Sequence, residues 1–223
     1  MRLDTIKMEK IQIEHDKYYE IGVFLLPDDA LSCYIQDLTK RICSNHQDNG
    51  IDIGQERNHP HVTLFQLSVK GENIPKIYEC LGQTVPDLCR VPRVALKPVL
   101  SVVGSNLFWN VDALFHDPFL KRVHKQIVDT ISPLRSDARI GHLEENYCLL
   151  SDAKKSDVEQ YGIFWSLPHN FDPHFTVIYN MPSAFNLDLV PPLNPCSFKP
   201  AYLGVGLLGY HGNVTDILWH TKL

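Results

Sequence analysis

The chain has 223 residues, 44% of them hydrophobic, and a formal charge of −5, enough apolar mass for one filled core or two closely packed lobes. The acidic balance, with a pI near 6.1, excludes a coat protein that covers nucleic acid by bulk positive charge, but leaves room for a small nucleotide or a strand end in a local pocket. No run approaches the ~20 apolar residues of a membrane span, and Met1 to Glu20 is charged throughout with no apolar signal core, so a soluble cytoplasmic protein is expected. The six cysteines include no Cys-x-x-Cys pair and read as buried, reduced thiols of an intracellular protein.

The β-branched and aromatic run Tyr18–Leu26 predicts a buried strand. Pro27-Asp28-Asp29 stops it and offers a capping carboxylate. Leu31, Ile35, Leu38 and Ile42 then form the apolar face of a helix that ends in the polar stretch Ser44 to Gly50. Ile74 to Leu81 predicts a short helix before Pro86. Val94–Val103 and Asn106–Val111 predict paired strands around Gly104-Ser105.

The second half repeats this order. Asp117-Pro118 opens a helix through Leu120, Val123, Ile127 and Ile131 that breaks at Pro133. Arg135 to Pro168 has no counterpart in the first half. Within it Ser151-Asp152 can cap a helix through Val158 and Tyr161, with Phe164-Trp165 as a packing anchor. Such a segment is either a specificity element or a plain insertion. Leu96-Lys97-Pro98 and Phe198-Lys199-Pro200 each open a strand-like stretch. The repetition predicts an α+β fold of two pseudo-twofold-related lobes, antiparallel sheets lining a central cleft and helices outside. The lobe elements lie roughly at 18–103 and 106–215, intertwined or not, within a single unit spanning 1–223.

The repeated feature that carries chemistry is Pro60-His61-Val62-Thr63-Leu64, matched by Pro173-His174-Phe175-Thr176-Val177. Alternation along a strand places His61 and Thr63 on one face, and His174 and Thr176 on one face of theirs. A twofold axis would bring the two pairs together around one small anion. Histidine exchanges protons near neutrality. In-line cleavage of a phosphodiester calls for a base at the attacking oxygen and an acid at the departing one, so His61 and His174 are the candidate pair. Thr63 and Thr176 are then candidate holders of the non-bridging phosphate oxygens.

The paired motifs resemble the 2H phosphoesterase superfamily, which includes the bacterial 2′-5′ RNA ligase/cyclic phosphodiesterase proteins and plant cyclic phosphodiesterases. Its pattern is two His-apolar-Thr/Ser-apolar tetrapeptides in a bilobal α+β fold. His61-Val62-Thr63-Leu64 and His174-Phe175-Thr176-Val177 both fit, and element order extends the resemblance to roughly residues 18–215. It implies opening or hydrolysis of 2′,3′-cyclic phosphates or 2′-5′-linked nucleotides at RNA ends without metal or cofactor. Several members carry Arg or Lys shortly after the second motif, where this chain has Ile178-Tyr179-Asn180.

Other candidates are secondary. Phe24 and Trp109 could stack on a base, although core burial explains them equally well. Tyr179 and Tyr210 are candidate substrate contacts. His59 could pair with His61 on a metal, but no third ligand follows at usable spacing. Arg93 and Lys97 form a basic ladder that is either solvated or phosphate-facing. His116, His124, His211 and His220 read as surface groups. An RNA-end ligase, a 3′-exonuclease or a non-catalytic nucleotide-binding module would use the same cleft.

Overall fold

In the computed structural model the residues described are 11–44, 51–52, 59–112, 118–138, 140, 143, 146–179, 181, 190, 192–209 and 212–223. The strands are β1 (Tyr18–Leu26), β2 (Ile51–Asp52), β3 (Val62–Lys70), β4 (Val94–Ala95), β5 (Ser101–Val103), β6 (Asn106–Asn110), β7 (His174–Tyr179), β8 (Ser197–Phe198), β9 (Tyr202–Leu208) and β10 (Val214–Lys222). The helices are α1 (Asp29–Ser44), α2 (Ile74–Gly82), α3 (Val85–Leu88), α4 (Pro118–Ile131) and α5 (Asp152–Tyr161). The fold is α+β.

The main sheet runs β10-β9-β1-β3-β7-β6-β5, with β2 also on β7, and the described pairings are antiparallel. The halves of the sheet do not follow the halves of the chain. The late strands β9 and β10 extend β1, while β5 joins β6. The two halves meet at one seam, where β3 and β7 pair through Val62 and Phe175 alone.

α1, α2, α4 and α5 form where the sequence predicts helices, whereas the short α3 around Pro86 is not among those predicted, and α1 and α4 each cross that seam. Asp28 caps α1 by accepting the Leu31 amide at 2.9 Å. The helix buries Leu31, Ile35, Leu38, Thr39 and Ile42, each apolar side chain contributing about 1.5–3 kcal/mol. Although α1 follows β1, it packs on β7, and α4, which follows β6, packs on β3. α5 ends at Gly162, whose φ of +85° is the left-handed cap and whose amide returns to the Val158 carbonyl at 2.8 Å.

Three expectations are corrected. Val94–Val103 is two short strands rather than one. β4 leaves the main sheet to pair with β8, and the antiparallel register, Val94 opposite Phe198 and Ala95 opposite Ser197, carries Lys97 and Lys199 off opposite ends of this short ladder. The cysteines are all free, but Cys33, Cys89 and Cys148 are exposed, not buried. His124 is completely buried, because it lies on the same stripe of α4 as Leu120, Val123 and Ile127. His116 and His211 lie outside the described residues. Among the described residues no helix is long and apolar enough to cross a membrane.

Candidate active site

The two motifs sit on either side of the seam. With Val62 opposite Phe175, one further step of antiparallel register places His61 across from Thr176 and Thr63 across from His174. All four then share the face opposite the buried Val62 and Phe175. His61 and His174 become diagonal neighbours, a relation that separates residues by about 7–8 Å.

Both strands carry a bulge at the last residue of the motif. Along β3, Val23 pairs with Phe65 and Phe24 with Thr63, leaving Leu64 extra. Along β7, Leu107 pairs with Ile178 and Phe108 with Thr176, leaving Val177 extra. An extra residue reverses the alternation beyond it. Gln66 and Tyr179, each three residues past the motif threonine, therefore return to the threonine's face. The extra residues' carbonyls, Leu64 O and Val177 O, are taken by side chains from the crossing helices. Thr39 of α1 donates to Val177 O at 2.9 Å, and His124 of α4 donates to Leu64 O at 2.8 Å.

The imidazoles are oriented alike. His61 Nδ1 lies 2.7 Å from the His59 carbonyl and His174 Nδ1 lies 2.7 Å from the Asp172 carbonyl. A carbonyl only accepts, so each Nδ1 carries the proton. Each Nε2 is left as the nitrogen that gives or takes a proton. His174 stacks on Phe108 with centroids 3.9 Å apart, and His61 lies against Phe24 at 5.5 Å. Behind His174, Asn110 donates to the Asp172 carboxylate at 2.9 Å and accepts from the Ser101 hydroxyl.

Thr63, His174 and Thr176 open into a cleft of about 420 Å³. One wall is the segment after α5, contributing Phe164, Trp165, Ser166, Asn170, Phe171 and Asp172. It is fastened to β3: Trp165 Nε1 donates to Gln66 Oε1 at 2.7 Å, and Gln66 Nε2 donates to Gly212 O at 3.2 Å. Asn170 Nδ2 staples the segment internally to Phe164 O at 2.7 Å.

No protein-family model and no curated protein matches this chain, but solved structures do. LigT of E. coli complexed with phosphate superposes with a TM-score of 0.50 at 13% identity, covering 93% of this chain and 99% of that one. LigT complexed with NADP+ gives 0.52 at 14% identity over 93% and 99%. TT0787 of Thermus thermophilus gives 0.54 at 17% identity over 92% and 97%. The fold is that of LigT and TT0787.

Within this fold the two histidines differ in setting. His61 is 9% exposed, and burial, partly opposed by the bond to the His59 carbonyl, lowers its pKa to about 4. His174, partly exposed, is also lowered by burial, while the Asp172 carbonyl and carboxylate pull it back up. The two rings lie near enough that His174 disfavours charge on His61.

The secondary candidates divide. Tyr179 lines the cleft, interacts with Thr176 and has its hydroxyl pKa raised by burial to about 12. Trp109 does not reach the cleft. It lies fully buried on the opposite face, against Tyr34, and donates to Lys97 O at 2.7 Å. Its neighbour Phe108 faces the site instead, because β6 meets β7 with Phe108 opposite Thr176. Phe24 is on the site's face but fully buried, filling the space left by Gly204. Tyr210 lies outside the described residues. His59 supplies its carbonyl to His61. Arg93 reaches Ser197 at an exposed position, and Lys97 contributes its carbonyl to Trp109; neither side chain lines the cleft. Sequence reasoning missed Gln66, Asn110, Phe108 and Asp172, the last a carboxylate in the cleft lining. Among the described residues no three His, Cys, Asp or Glu side chains cluster to hold a metal.

Proposed function

We propose that this chain is a phosphodiesterase, one bilobal unit that opens 2′,3′-cyclic phosphates or cleaves 2′-5′-linked nucleotides at RNA ends, using His61 and His174 without a metal. The observation that carries the reading is the matched pair of Nδ1–carbonyl bonds. They leave two Nε2 atoms on one face, with a threonine across the seam from each.

His61, with its pKa near 4, is neutral at pH 7 and serves as base. Its Nε2 takes the proton of a water whose oxygen attacks phosphorus. His174, whose pKa Asp172 supports, serves as acid and protonates the departing ribose oxygen as the P–O bond breaks. Thr63 and Thr176 donate to the non-bridging oxygens as their charge grows. The next turnover requires a proton to pass from His61 back to His174, through solvent or product. An imidazole pair suits this traffic, whereas Mg²⁺ prefers a cage richer in oxygen ligands.

The test is to offer purified protein 2′,3′-cyclic mononucleotides, 2′-5′ dinucleotides and short oligonucleotides with excess chelator present. Turnover of the first two, undiminished by chelator, is expected. Joining of RNA ends, stepwise trimming from a 3′ end, or binding without turnover would each replace the proposal by the corresponding alternative.

A further inference from the structure

We infer that His124, a residue outside the cleft, is a positioning residue that sets the distance between the first catalytic motif and the wall that receives the nucleoside. Its Nε2 lies 2.8 Å from Leu64 O and 3.0 Å from Ser166 O, so one N–H is shared between two carbonyls. Leu64 is the extra residue of the β3 bulge, one position past Thr63. Ser166 belongs to the cleft wall, between Trp165 and the turn leading to Phe171. The imidazole also stacks on Phe171, with centroids 3.8 Å apart and planes 11° from parallel. A single rigid ring thus touches the catalytic strand on one side and the substrate wall on the other.

Two features separate this from ordinary core filling. His124 is completely buried, and its Nδ1 has no hydrogen-bond partner among the described residues, a costly arrangement for a position that needed only volume. The equivalent carbonyl across the pseudo-twofold, Val177 O, is satisfied by Thr39, a smaller donor. Among the described residues, the donor on the β3 side reaches a second carbonyl, Ser166 O of the wall segment, and a ring there bridges the two. Gln66 holds the same wall from the front through Trp165. With His124 holding it from behind, the wall is fixed to the strand that carries His61 and Thr63.

The inference rests on the cleft being a phosphodiester site, and two variants test it. His124→Phe keeps the stack and the volume but removes the donor; His124→Gln keeps an N–H donor and gives up the ring. Misplacement by about 1 Å costs catalysis on the order of 10²-fold. His124→Phe is therefore expected to lower kcat and raise KM on a 2′,3′-cyclic mononucleotide, with kcat/KM down ~10²-fold below its own Tm. His124→Gln is expected within ~5-fold of wild type. Unchanged constants in folded His124→Phe would overturn the inference, as would a His124→Gln variant losing ~30-fold or more. The second criterion holds even if His124→Phe fails to fold. If the wild type cleaves no phosphodiester, the proposed function fails separately. Calorimetric binding of uridine 2′-monophosphate to the same proteins then reads the coupling, with weakening in His124→Phe and recovery in His124→Gln expected, and equal affinity in all three overturning it.

Discussion

At the scale of single residues, the two imidazoles have the same tautomer and different surroundings, and the pH profile should record this. Both folded-state pKa values lie below the ordinary 6.5, His61 near 4. For the free enzyme, kcat/KM should be bell-shaped with its optimum on the acid side of neutrality. The acid limb reflects protonation of His61 and the alkaline limb loss of the His174 proton. A bound phosphate anion favours imidazolium, so both limbs of kcat should lie above those of kcat/KM. A kcat/KM optimum above pH 7 would contradict the assignment. The threonines make a separate prediction. Thr63→Val and Thr176→Val keep the β-branched shape and remove the hydroxyl, so turnover should fall ~10²-fold while Tm barely moves. Wild-type turnover in either variant would remove that hydroxyl from the chemistry.

At the scale of elements, the bulges decide which side chains meet. Alternation within Pro60–Leu64 and Pro173–Val177 is legible in the sequence because it depends only on strand geometry. The extra residues Leu64 and Val177 are not, since a bulge is set by how two strands fit across a sheet. The place of Gln66 in the cleft, which depends on that fit, is therefore not legible in the sequence. That Phe108 and not the candidate Trp109 faces the cleft is hidden for a related reason: β6 is apolar at both positions, and only its register against β7 shows which faces the cleft. The burial of His124 is legible in the sequence, because its position between Leu120 and Ile127 places it on the apolar stripe of α4 despite its polarity. Close packing of β1 on β9 gives a stability test. A Cβ at Gly204 would stand 2.3 Å from Phe24 Cε2, so Gly204→Ala should destabilise by about 1–3 kcal/mol or more. Phe24→Leu in the same chain should recover part of that loss. Urea denaturation reads both, and an unshifted midpoint for Gly204→Ala would show that the ring moves aside freely.

At the scale of the whole molecule, two buried neutral histidines link stability to pH. His61 and His124 titrate near 4 when folded and near 6.5 when unfolded. Between those values the unfolded chain binds more protons, so stability is fully present above about pH 6.5 and falls as pH drops toward 4. The fully buried His124 alone should account for a loss on the order of 3 kcal/mol, and His124→Gln should flatten the dependence measured by urea unfolding at pH 7 and pH 5. The larger question is whether two distant motifs act as one site. The seam at Val62 and Phe175 joins halves that each supply one histidine and one threonine. The direct measurement is turnover of a 2′,3′-cyclic mononucleotide, in chelator, by wild type, His61→Ala, His174→Ala and the double variant. Each single change is expected to cost ~10²–10⁴-fold, and the double little more than either, because base and acid serve one displacement. Losses that multiply, or a single variant with wild-type turnover, would contradict a shared site.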